Sequence, residues 1–545
     1  MLWGSYMPVK NKSVSLSVKW LFFILIVLFV VAVRIRLLEF PLERDEGEYA
    51  YMGQLILQGI PPYGEAYNMK LPGTALMYAL IMSLFGQTIQ GIHVGLLLVN
   101  CATSFLIFHL VRKIANDFAA AMAGSSYALL SVSPTVLGFA AHATHFVVLP
   151  AVSGALLLLH AVKKESLPAY GGAGFLFGLA FVMKQPGVFF FLFGACYIIY
   201  RHFSQKPAHT FKKFLANSGV FSLGAAAALI IVAAWVYAAG TFDKFWFWTV
   251  TYASQYVSEV QLSAAFDIFL SNFSSVANGF LLIWIFSALG FAVMFFRSDL
   301  KGNKVFIVLF VLFSFLTTCP GFYFRQHYFV TFLPAVSILA GIFIDYCNSR
   351  FAAFLKSPLA KFTGYGIFLI ALLVGCASQT DYFFKDDPVK LCRKIYGANP
   401  FPESIEIAKY IEARSLATDR VAVFGSEPQI YFYAKRHSAT GYIYTYNLME
   451  SHEYSLIMQK EMIKEIESLK PKFIVAVNID TSWLIRQESE KYIFGWFNDF
   501  IREYYSLVGV ADIISPDKTV YRWKDDVKNY NVQSGYHLLV FEKAR

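Results

Sequence analysis

Charged residues are scarce in this chain. Asp, Glu, Lys and Arg together make up 15% of its 545 residues, whereas 57% are hydrophobic and 55 are phenylalanine. A soluble globular protein of this length would carry more charge and less phenylalanine. The composition therefore predicts an integral membrane protein. Its spans should be helical, because only helices and closed barrels satisfy the backbone hydrogen bonds in lipid.

Cysteine is also rare, and its placement excludes several classes of site. The six cysteines stand singly at positions 101, 196, 319, 347, 376 and 392. Their spacing fits neither a metal site nor a redox motif, and no disulfide framework is visible. We interpret them as packing residues.

Long apolar runs are abundant. The first, at 20–39, is too long for a signal peptide and is not followed by a small-residue cleavage site, so we predict a transmembrane helix. Ten more runs bring the predicted count to about eleven spans of roughly 20 residues each. They lie near 89–111, 118–141, 145–162, 169–183, 187–200, 216–239, 277–296, 305–319, 328–346 and 363–378, with a further apolar helix near 73–86 that spans or lies in the interface.

Basic residues predict the topology. Most of those before residue 379 cluster in alternate loops, which the positive-inside rule assigns to the cytoplasm. They are Lys10, Lys12, Lys19, Arg112, Lys113, Lys163, Lys164, Arg201, Lys206, Lys212, Lys213, Arg297, Lys301, Lys304, Arg350, Lys356 and Lys361. The net charge of +10 therefore reflects topology and does not imply nucleic-acid binding. The N-terminus is predicted inside, and an odd number of spans places the tail outside.

Seven basic residues do not follow this pattern and fall near the predicted outer side. They are Arg34, Arg36, Arg44, Lys70, Lys184, Lys244 and Arg325. We interpret Arg34 and Arg36 as snorkelling from the end of the first span. The other five require another explanation.

The chain divides into three predicted parts. A basic cytoplasmic arm covers 1–19, the membrane domain covers 20–378 with an outer first loop at 40–72, and an outer α/β domain covers 379–545. The tail has no long apolar run and nearly balanced charge, with 22 basic and 23 acidic residues. Residue patterns in the tail predict helices at 403–414 and 453–469 and strands at 420–424, 472–477 and 537–542. The predicted fold is a polytopic α-helical membrane protein with a soluble C-terminal α/β domain of two or three layers.

An acidic cluster follows the first span. Residues 44–51 read RDEGEYAY, and ionisable groups at the mouth of a span are usually functional. Asp45 and Glu46 have two alternative roles. They cap a helix, where the helix dipole favours acids, or one of them is a general base. Repulsion between them and Glu48 would raise at least one pKa and favour proton abstraction.

Three of the outer cations are candidates for binding an anion. Lys70 precedes the Pro72–Gly73 start of an apolar helix, and a helix N-terminus beside a lysine suits an anion. Lys184 lies in a Lys-Gln-Pro turn, and the planar fork of Arg325 suits a phosphate. The alternative for the two lysines is an interfacial anchor without a ligand.

Two further groups accompany these cations. His142 and His145, spaced by three, suit a metal or a substrate hydroxyl, although a hydrogen-bonded loop pair is favoured over a metal. His327 and Tyr328 adjoin Arg325 as candidate substrate contacts. Aromatic residues in the predicted outer loop 240–276 either stack on a sugar or form an interfacial belt; they are Phe242, Trp246, Trp248 and Tyr252.

The stretch DEGEYAYMGQLILQGIPPYGEAYNMKLPG, residues 45–73, resembles a known family. It is similar to the bacterial GT-C glycosyltransferases of the protein-mannosyltransferase-like group, which includes lipid A aminoarabinose transferases and Rgt-type sugar transferases. The resemblance covers roughly 20–380. It implies an enzyme of the plasma (inner) membrane that moves a sugar from a polyprenyl phosphate to an envelope acceptor, either lipid A, a glycan or a protein, at the outer face.

The resemblance also implies residue roles. Asp45, then Glu46, would carry the catalytic carboxylate, and Lys70 matches the phosphate-binding lysine of the family's Lys-Pro-Pro motif, although Leu71 replaces the first proline. Glu65 matches an acidic position of many members. Asn68 stands where a second acid is common, which argues against a metal. We therefore expect no metal or other cofactor, with a divalent metal as the alternative.

A mechanism follows from the leaving group, which departs as a phosphate dianion. Lys70 and Arg325, with Lys184 third, would stabilise this charge most in the transition state. Asp45 would deprotonate the acceptor from the opposite face of the sugar, which predicts inversion at the anomeric carbon. The predicted substrate contacts are Glu65, Asn68, His142, His145, His327 and Tyr328.

Two alternatives remain open at this point. One is a glycan polymerase or ligase with a polyprenyl-diphosphate donor, which fits the same fold. The other is a flippase or transporter for lipid-linked sugars. Transporters usually show paired broken helices in related halves, and the sequence shows none.

Overall fold

The computed structural model describes residues 13–204, 210–257, 260–300, 302–355 and 357–544. Most of the predicted basic arm lies outside these ranges. So do Lys10, Lys12, Lys206, Lys301 and Lys356 of the predicted cytoplasmic loops.

All regular secondary structure of the membrane part, in the described residues before the tail, is helical. Its helices are α1 Ser13–Arg36, α2 Arg44–Leu57, α3 Gly73–Phe85, α4 Ile89–Ile114, α5 Asp117–Leu130, α6 Ala143–Lys164, α7 Leu167–Met183, α8 Val188–Ser204, α9 Phe211–Ala238, α10 Phe242–Trp246, α11 Ala253–Val257, α12 Leu262–Asn278, α13 Leu281–Phe296, α14 Lys304–Leu316, α15 Leu333–Leu355 and α16 Thr363–Ser378. Short 3-10 or π-helical turns join several of them.

Six helical segments of the described chain are long and apolar enough to cross a membrane. They are Val18–Arg36, Ile89–Ile114, Ala143–Lys164, Gln185–Ser204, Phe211–Ala238 and Leu359–Ser378. A seventh span results if α12 and α13, bent by 111°, count as one broken span. The predicted number of about eleven is not confirmed, because other apolar runs form helices of only 13 to 17 residues, such as α7 and α14.

Two predicted segments differ from the structure. The apolar run 118–141 was expected to be one span, but α5 ends at Leu130. The chain turns there because Pro134 lacks a backbone N–H and Gly138 packs so closely that a Cβ would lie 2.2 Å from the Ser131 carbonyl oxygen. The predicted outer loop 240–276 is instead mostly helical, with α10, a π-helical turn at Phe247–Tyr252, α11 and α12.

The tail is an α/β unit, as predicted. Its helices are α17 Pro388–Tyr396, α18 Phe401–Glu412, α19 Gln429–Ala434, α20 Tyr446–Met449, α21 Ser455–Leu469, α22 Asp480–Trp483 and α23 Tyr492–Tyr504. Its strands are β1 Val421–Phe424, β2 Phe473–Asn478, β3 Tyr505–Ser515, β4 Lys518–Trp523 and β5 His537–Lys543. The three predicted strands and two predicted helices are confirmed to within two residues.

The five strands form one mixed sheet in the order β1-β2-β5-β3-β4. Only β1 and β2 pair in parallel. Helices cover both faces: Tyr410 of α18 stacks on Trp523 at 4.2 Å, and Phe497 of α23 stacks on Phe424 at 3.8 Å. The tail therefore has three layers. The β3–β4 hairpin was not predicted, since buried residues in β3 run consecutively instead of alternating.

The tail packs directly on the first loop of the membrane part. The buried Arg44 donates hydrogen bonds to the Ser426 carbonyl and to Glu427, both at 2.6 Å. The Tyr67 backbone N–H donates to the Gly441 carbonyl at 2.8 Å. This interface places one segment of the tail, residues 444–450, over the first loop of the membrane part.

Candidate active site

A cavity of about 430 Å³ lies between the first loop and the tail. Its walls come from α2, the loop before α3, the turn after α7, the helical segment 247–257, the turn 320–328 and the tail segment 444–450. Seven of the predicted site residues line it: Asp45, Asn68, Lys70, Lys184, Arg325, His327 and Tyr328. Four do not: Glu46, Glu65, His142 and His145.

Helix α2 aims two carboxylates into the cavity. It begins with a capping box, in which the Glu43 side chain accepts from the Glu46 N–H at 2.9 Å. Asp45 and Glu48 are separated by three residues and therefore lie on the same helical face. Their side chains are only 16% and 5% exposed. This face supplies the acidic side of the site.

Glu46 lies on the other side of α2 and is fully buried. Its Oε1 accepts from the Ala141 N–H at 2.6 Å and lies 3.1 Å from His93 Nε2. The side chain thus fixes α2 against the membrane part. The structure does not bring Glu46 to the cavity, in contrast to its predicted catalytic role, and the capping interpretation fits it.

Lys70 joins the two carboxylates. Its Nζ donates to Asp45 Oδ1 at 3.2 Å and to Glu48 Oε2 at 2.9 Å, and lies 4.6 Å from the centroid of the Tyr49 ring. Asn68 shapes the loop, since its Oδ1 accepts from the Lys70 N–H at 2.8 Å. Burial by itself would raise the pKa of Asp45, but Lys70 and the other nearby cations hold it well below its usual value.

Close packing brings Lys70 and Lys184 to the same cavity. A Cβ at Gly73 would lie 2.5 Å from the Val182 carbonyl oxygen, so only glycine allows the start of α3 to approach the end of α7. The Thr74 hydroxyl donates to the Met183 carbonyl at 2.8 Å, and Gln185 Nε2 donates to the Met69 carbonyl at 2.7 Å. These contacts hold the two turns together.

Lys184 and Arg325 are the other two cations that line the cavity with Asp45. Lys184 Nζ lies 4.0 Å from the centroid of the Tyr328 ring, and burial together with Lys70 lowers the pKa of Lys184 to about 7. The Arg325 guanidinium lies 5.4 Å from the centroid of Tyr323. Among the described residues neither cation makes an ion pair with a carboxylate, so both are available to an anion.

His142 and His327 stack beside Asp45, with ring centroids 4.1 Å apart. Their nearest ring nitrogens and an Asp45 oxygen all lie within 4.8 Å of one another. Both ring nitrogens of His142 are buried without a hydrogen-bond partner, and burial lowers its pKa to about 4, despite the opposing effect of Asp45. Neutral imidazoles and a carboxylate are ligands that Zn²⁺ accepts, so the donor set fits a divalent metal. The expectation of no metal stays a prediction.

The two other predicted substrate contacts lie away from the cavity. His145 is buried within α6, where its Nδ1 lies 3.1 Å from Asn100 Oδ1. Glu65 instead pairs with Arg420 at 2.7 Å and with His437 at 2.9 Å in the tail. Both residues therefore hold the fold together around the cavity.

The remaining four of the seven cations that depart from the pattern of basic loops also have structural partners. Arg34 is 4% exposed and donates to the Ser131 carbonyl at 2.7 Å, and Arg36 donates to the Asp386 carbonyl at 2.5 Å. The snorkelling interpretation of these two arginines is therefore wrong. Arg44 binds the tail, and Lys244 donates to the Tyr67 hydroxyl.

Sequence reasoning missed part of the lining. Glu48 was treated only as a repelling neighbour, although its i+3 spacing from Asp45 was a usable signal. Five other residues carried no such signal, because they reach the cavity through long-range packing; they are Tyr256, Tyr444, Tyr446, Asn447 and Glu450.

Aromatic side chains cover one side of the cavity. Trp248 stacks on Tyr67 at 5.7 Å, and Tyr252 donates a hydrogen bond to Glu450 of the tail. Trp248, Tyr252 and Tyr256 line the cavity, as a sugar-stacking surface would. Phe242 and Trp246 do not, and Trp246 is 53% exposed.

Comparisons with known proteins agree with this architecture. Residues 69–238 match the family model described as dolichyl-phosphate-mannose-protein mannosyltransferase. No curated protein matches the chain significantly in sequence.

Solved structures match over nearly the whole chain. ArnT from Cupriavidus metallidurans, bound to undecaprenyl phosphate, superposes with a TM-score of 0.58 at 13% identity, covering 96% of this chain and 98% of that one. The oligosaccharyltransferase AglB from Archaeoglobus fulgidus, in complex with an inhibitory peptide and a dolichol-phosphate, superposes with a TM-score of 0.53 at 12% identity, covering 96% and 76%.

Because both identities are low, these likenesses establish the fold and nothing beyond it. The family model and the fold together indicate a glycosyltransferase. The chain has the GT-C fold of a multi-pass membrane protein, and its predicted resemblance to the protein-mannosyltransferase-like GT-C glycosyltransferases is confirmed.

Proposed function

We propose that this protein transfers a sugar from a polyprenyl-phosphate donor to a hydroxyl of a cell-envelope acceptor, with inversion at the anomeric carbon. The observation that carries the proposal is the cavity in which Asp45 faces Lys70, Lys184 and Arg325 beside an aromatic wall. Cations suit the phosphate, aromatic faces suit the sugar ring, and a carboxylate suits the acceptor proton. The undecaprenyl phosphate in the similar ArnT structure supports this donor class.

The donor phosphate would lie against Lys70, Lys184 and Arg325. As the bond from the anomeric carbon to the phosphate oxygen breaks, its electron pair goes to that oxygen and the phosphate charge rises from one to two. Preorganised cations stabilise this developing charge more in the transition state than in the ground state. No acid is then needed to protonate the leaving group.

Asp45 would take the proton of the acceptor hydroxyl as the new bond to the anomeric carbon forms. Its pKa is held low, so it is ionised before reaction. The acceptor oxygen becomes strongly acidic once it bonds to the electron-poor carbon, and a weak base then suffices. Because Asp45 and the phosphate would act from opposite faces of the ring, the product is inverted.

The tail would supply part of the acceptor site. Asn447 lines the cavity, and its Oδ1 is buried without a hydrogen-bond partner. A buried carbonyl oxygen without a partner is costly, and an acceptor hydroxyl would satisfy it. Tyr444, Tyr446 and Glu450 line the same cavity.

A divalent metal would be held by Asp45, His142 and His327, and there it would supply an additional positive charge beside the acceptor. The proposed mechanism routes no step through a metal, since three cationic side chains already face the phosphate. Metal removal therefore should leave transfer measurable.

We place the cavity at the outer face of the plasma membrane, with the N-terminus inside and the tail outside. The alternating basic loops and the unusual set of outer cations support this orientation. A reporter fused at residue 400 tests it. A cytoplasmic signal there would overturn the orientation.

The decisive experiment for the function compares envelope glycans, lipids and glycoproteins by mass spectrometry in cells with and without the protein. We expect one sugar to be lost, and to return with the wild-type chain but not with Asp45→Asn. Purified protein is then assayed with a polyprenyl-phosphate sugar and with the corresponding diphosphate. Transfer only from the diphosphate would favour the polymerase or ligase, and loss of lipid translocation without loss of transfer would favour the flippase.

A further inference from the structure

A second charged cavity lies outside the proposed active site. It has a volume of about 630 Å³ and is formed by the C-terminal ends of α4, α6 and α8. Its charged lining is mainly basic and includes Arg112, Lys113, Lys163 and Arg201, with His160 beside them. The proposed transfer reaction does not use any of these residues.

The two cavities lie at opposite ends of the same helices. His142, which precedes α6, packs against His327 at the first cavity, and α6 ends 22 residues later at Lys164. A helix of this length spans about 33 Å, close to the thickness of a bilayer's hydrocarbon core. Likewise, Val188 at the start of α8 lines the first cavity and Arg201 near its end lines the second. The basic cavity therefore faces the opposite leaflet.

Its positive charge is only partly neutralised. Arg112 pairs with Asp117 at 2.7 Å, and Glu165 pairs with Lys213. Lys113, Lys163 and Arg201 make no ion pair in the described part of the chain. The Arg201 Nε atom is also buried without a hydrogen-bond partner. The Arg201 guanidinium hydrogen-bonds the side chain of Tyr197, which is a neutral group and leaves the positive charge uncompensated.

The surroundings of the cavity favour a lipid over a soluble anion. Its uncharged lining includes Leu159 and Val162. Neighbouring helix ends expose large apolar side chains, as lipid-facing helices do: Ile199 and Phe203 of α8 are 45% and 78% exposed, and Phe211 of α9 is 67% exposed. A free phosphate would meet only the cations, whereas a phospholipid would meet both surfaces.

We propose that this cavity binds the phosphate headgroup of an anionic glycerophospholipid in the leaflet opposite the active site. Basic pockets between transmembrane helices are suited to such headgroups. The acyl chains would lie along the exposed apolar side of α8 and α9. This site is separate from the donor site and does not depend on the proposed reaction.

The test uses the full-length protein purified in a non-ionic detergent. Native mass spectrometry measures its binding of phosphatidylglycerol and of phosphatidylcholine with matched acyl chains. The double variant Lys113→Gln/Lys163→Gln removes two cations from the cavity. The control Lys164→Gln/Lys212→Gln removes two exposed lysines near the same helix ends that do not line it.

We expect wild-type protein to prefer phosphatidylglycerol by about tenfold or more. The cavity variant should lose about tenfold or more of this affinity, and the control should stay within about twofold. Equal binding of the two lipids by wild type, or equal loss in both variants, would overturn the proposal. Displacement of the lipid by millimolar inorganic phosphate would assign the cavity to a soluble anion. This competition needs only wild-type protein, so it decides even if the variant fails to fold.

Discussion

The two walls of the active-site cavity differ in kind. The wall from the membrane part carries the three cations and two carboxylates, with Asp45, Lys70 and Arg325 among them, whereas the tail wall contributes two tyrosines, one amide and one carboxylate, which are Tyr444, Tyr446, Asn447 and Glu450. Under the proposed function, the first wall performs the chemistry and the second selects the acceptor. The difference suggests that the acceptor can change with the tail while the donor chemistry stays fixed.

The start of α2 links the two walls. Three successive residues point in three directions, because each residue turns a helix by about 100°. Arg44 binds the tail at Glu427, Asp45 faces the cavity, and Glu46 binds the membrane part at Ala141. Docking of the tail and placement of the proposed base therefore depend on the same helical turn.

The largest expected effect separates Asp45 from its neighbour Glu46. Asp45→Asn should lower kcat by about 100-fold or more, the usual scale for a positioned general base, and the protein should stay folded because Lys70 keeps Glu48 as a partner. Turnover per folded molecule, with a polyprenyl-phosphate sugar as donor, is the measurement.

Glu46→Gln is the matched control. It should lower thermal stability, since it weakens buried contacts, but leave kcat per folded molecule within a few-fold of wild type. An inactive, folded Glu46→Gln beside an active Asp45→Asn would reverse the two roles.

The next effect concerns the cations of the same wall. Lys70→Met keeps the apolar stem without the charge, and Arg325→Lys keeps the charge without the planar fork. Each should lower kcat by about tenfold or more, and lower donor affinity less, because the charge they meet is largest in the transition state. Steady-state kinetics with varied donor measures the split. Interfacial anchors would instead give less inserted protein with normal kcat.

Changes in the tail wall should instead weaken acceptor binding and leave the donor chemistry intact. Asn447→Ala removes the buried amide that we assign to the acceptor site. The bound acceptor then loses about one hydrogen bond. KM for the acceptor should rise about three- to tenfold, whereas donor affinity and slow hydrolysis of the donor by water should be unchanged. A fall in donor hydrolysis would remove the distinction between the walls.

Much of the membrane wall could be predicted from sequence. Exceptions to the positive-inside rule selected seven cations, and three of them, Lys70, Lys184 and Arg325, line the cavity. The rule could not separate these three from the other four, because the partners of the other four are distant in sequence. Arg34, for example, binds the Ser131 carbonyl, and Arg44 binds the Ser426 carbonyl in the tail.

The direction in which each acidic side chain of α2 points depends on where the helix begins. Glu43, not Asp45 or Glu46, is the N-cap, and Glu46 completes the capping box three residues later. That spacing was visible in the sequence. It would have assigned Glu46 to the cap and placed Asp45 and Glu48 together. The tail wall carried no comparable local signal, because the segment 444–450 reaches the cavity only through packing of the whole tail.

The smallest expected effect tests whether the membrane wall holds the donor by charge. Burial and Lys70 lower the pKa of Lys184 to about 7, with Arg325 acting in the same direction and Asp45 opposing it. A sugar-linked phosphodiester stays singly charged across neutral pH. Donor affinity should therefore fall several-fold as pH rises from about 6 to 8.5, because Lys184 loses its charge. In Lys184→Arg, which stays charged, the affinity should be nearly flat. Equilibrium binding of a non-transferable donor analogue measures both curves, and an equally steep fall in Lys184→Arg would assign the titration to another group.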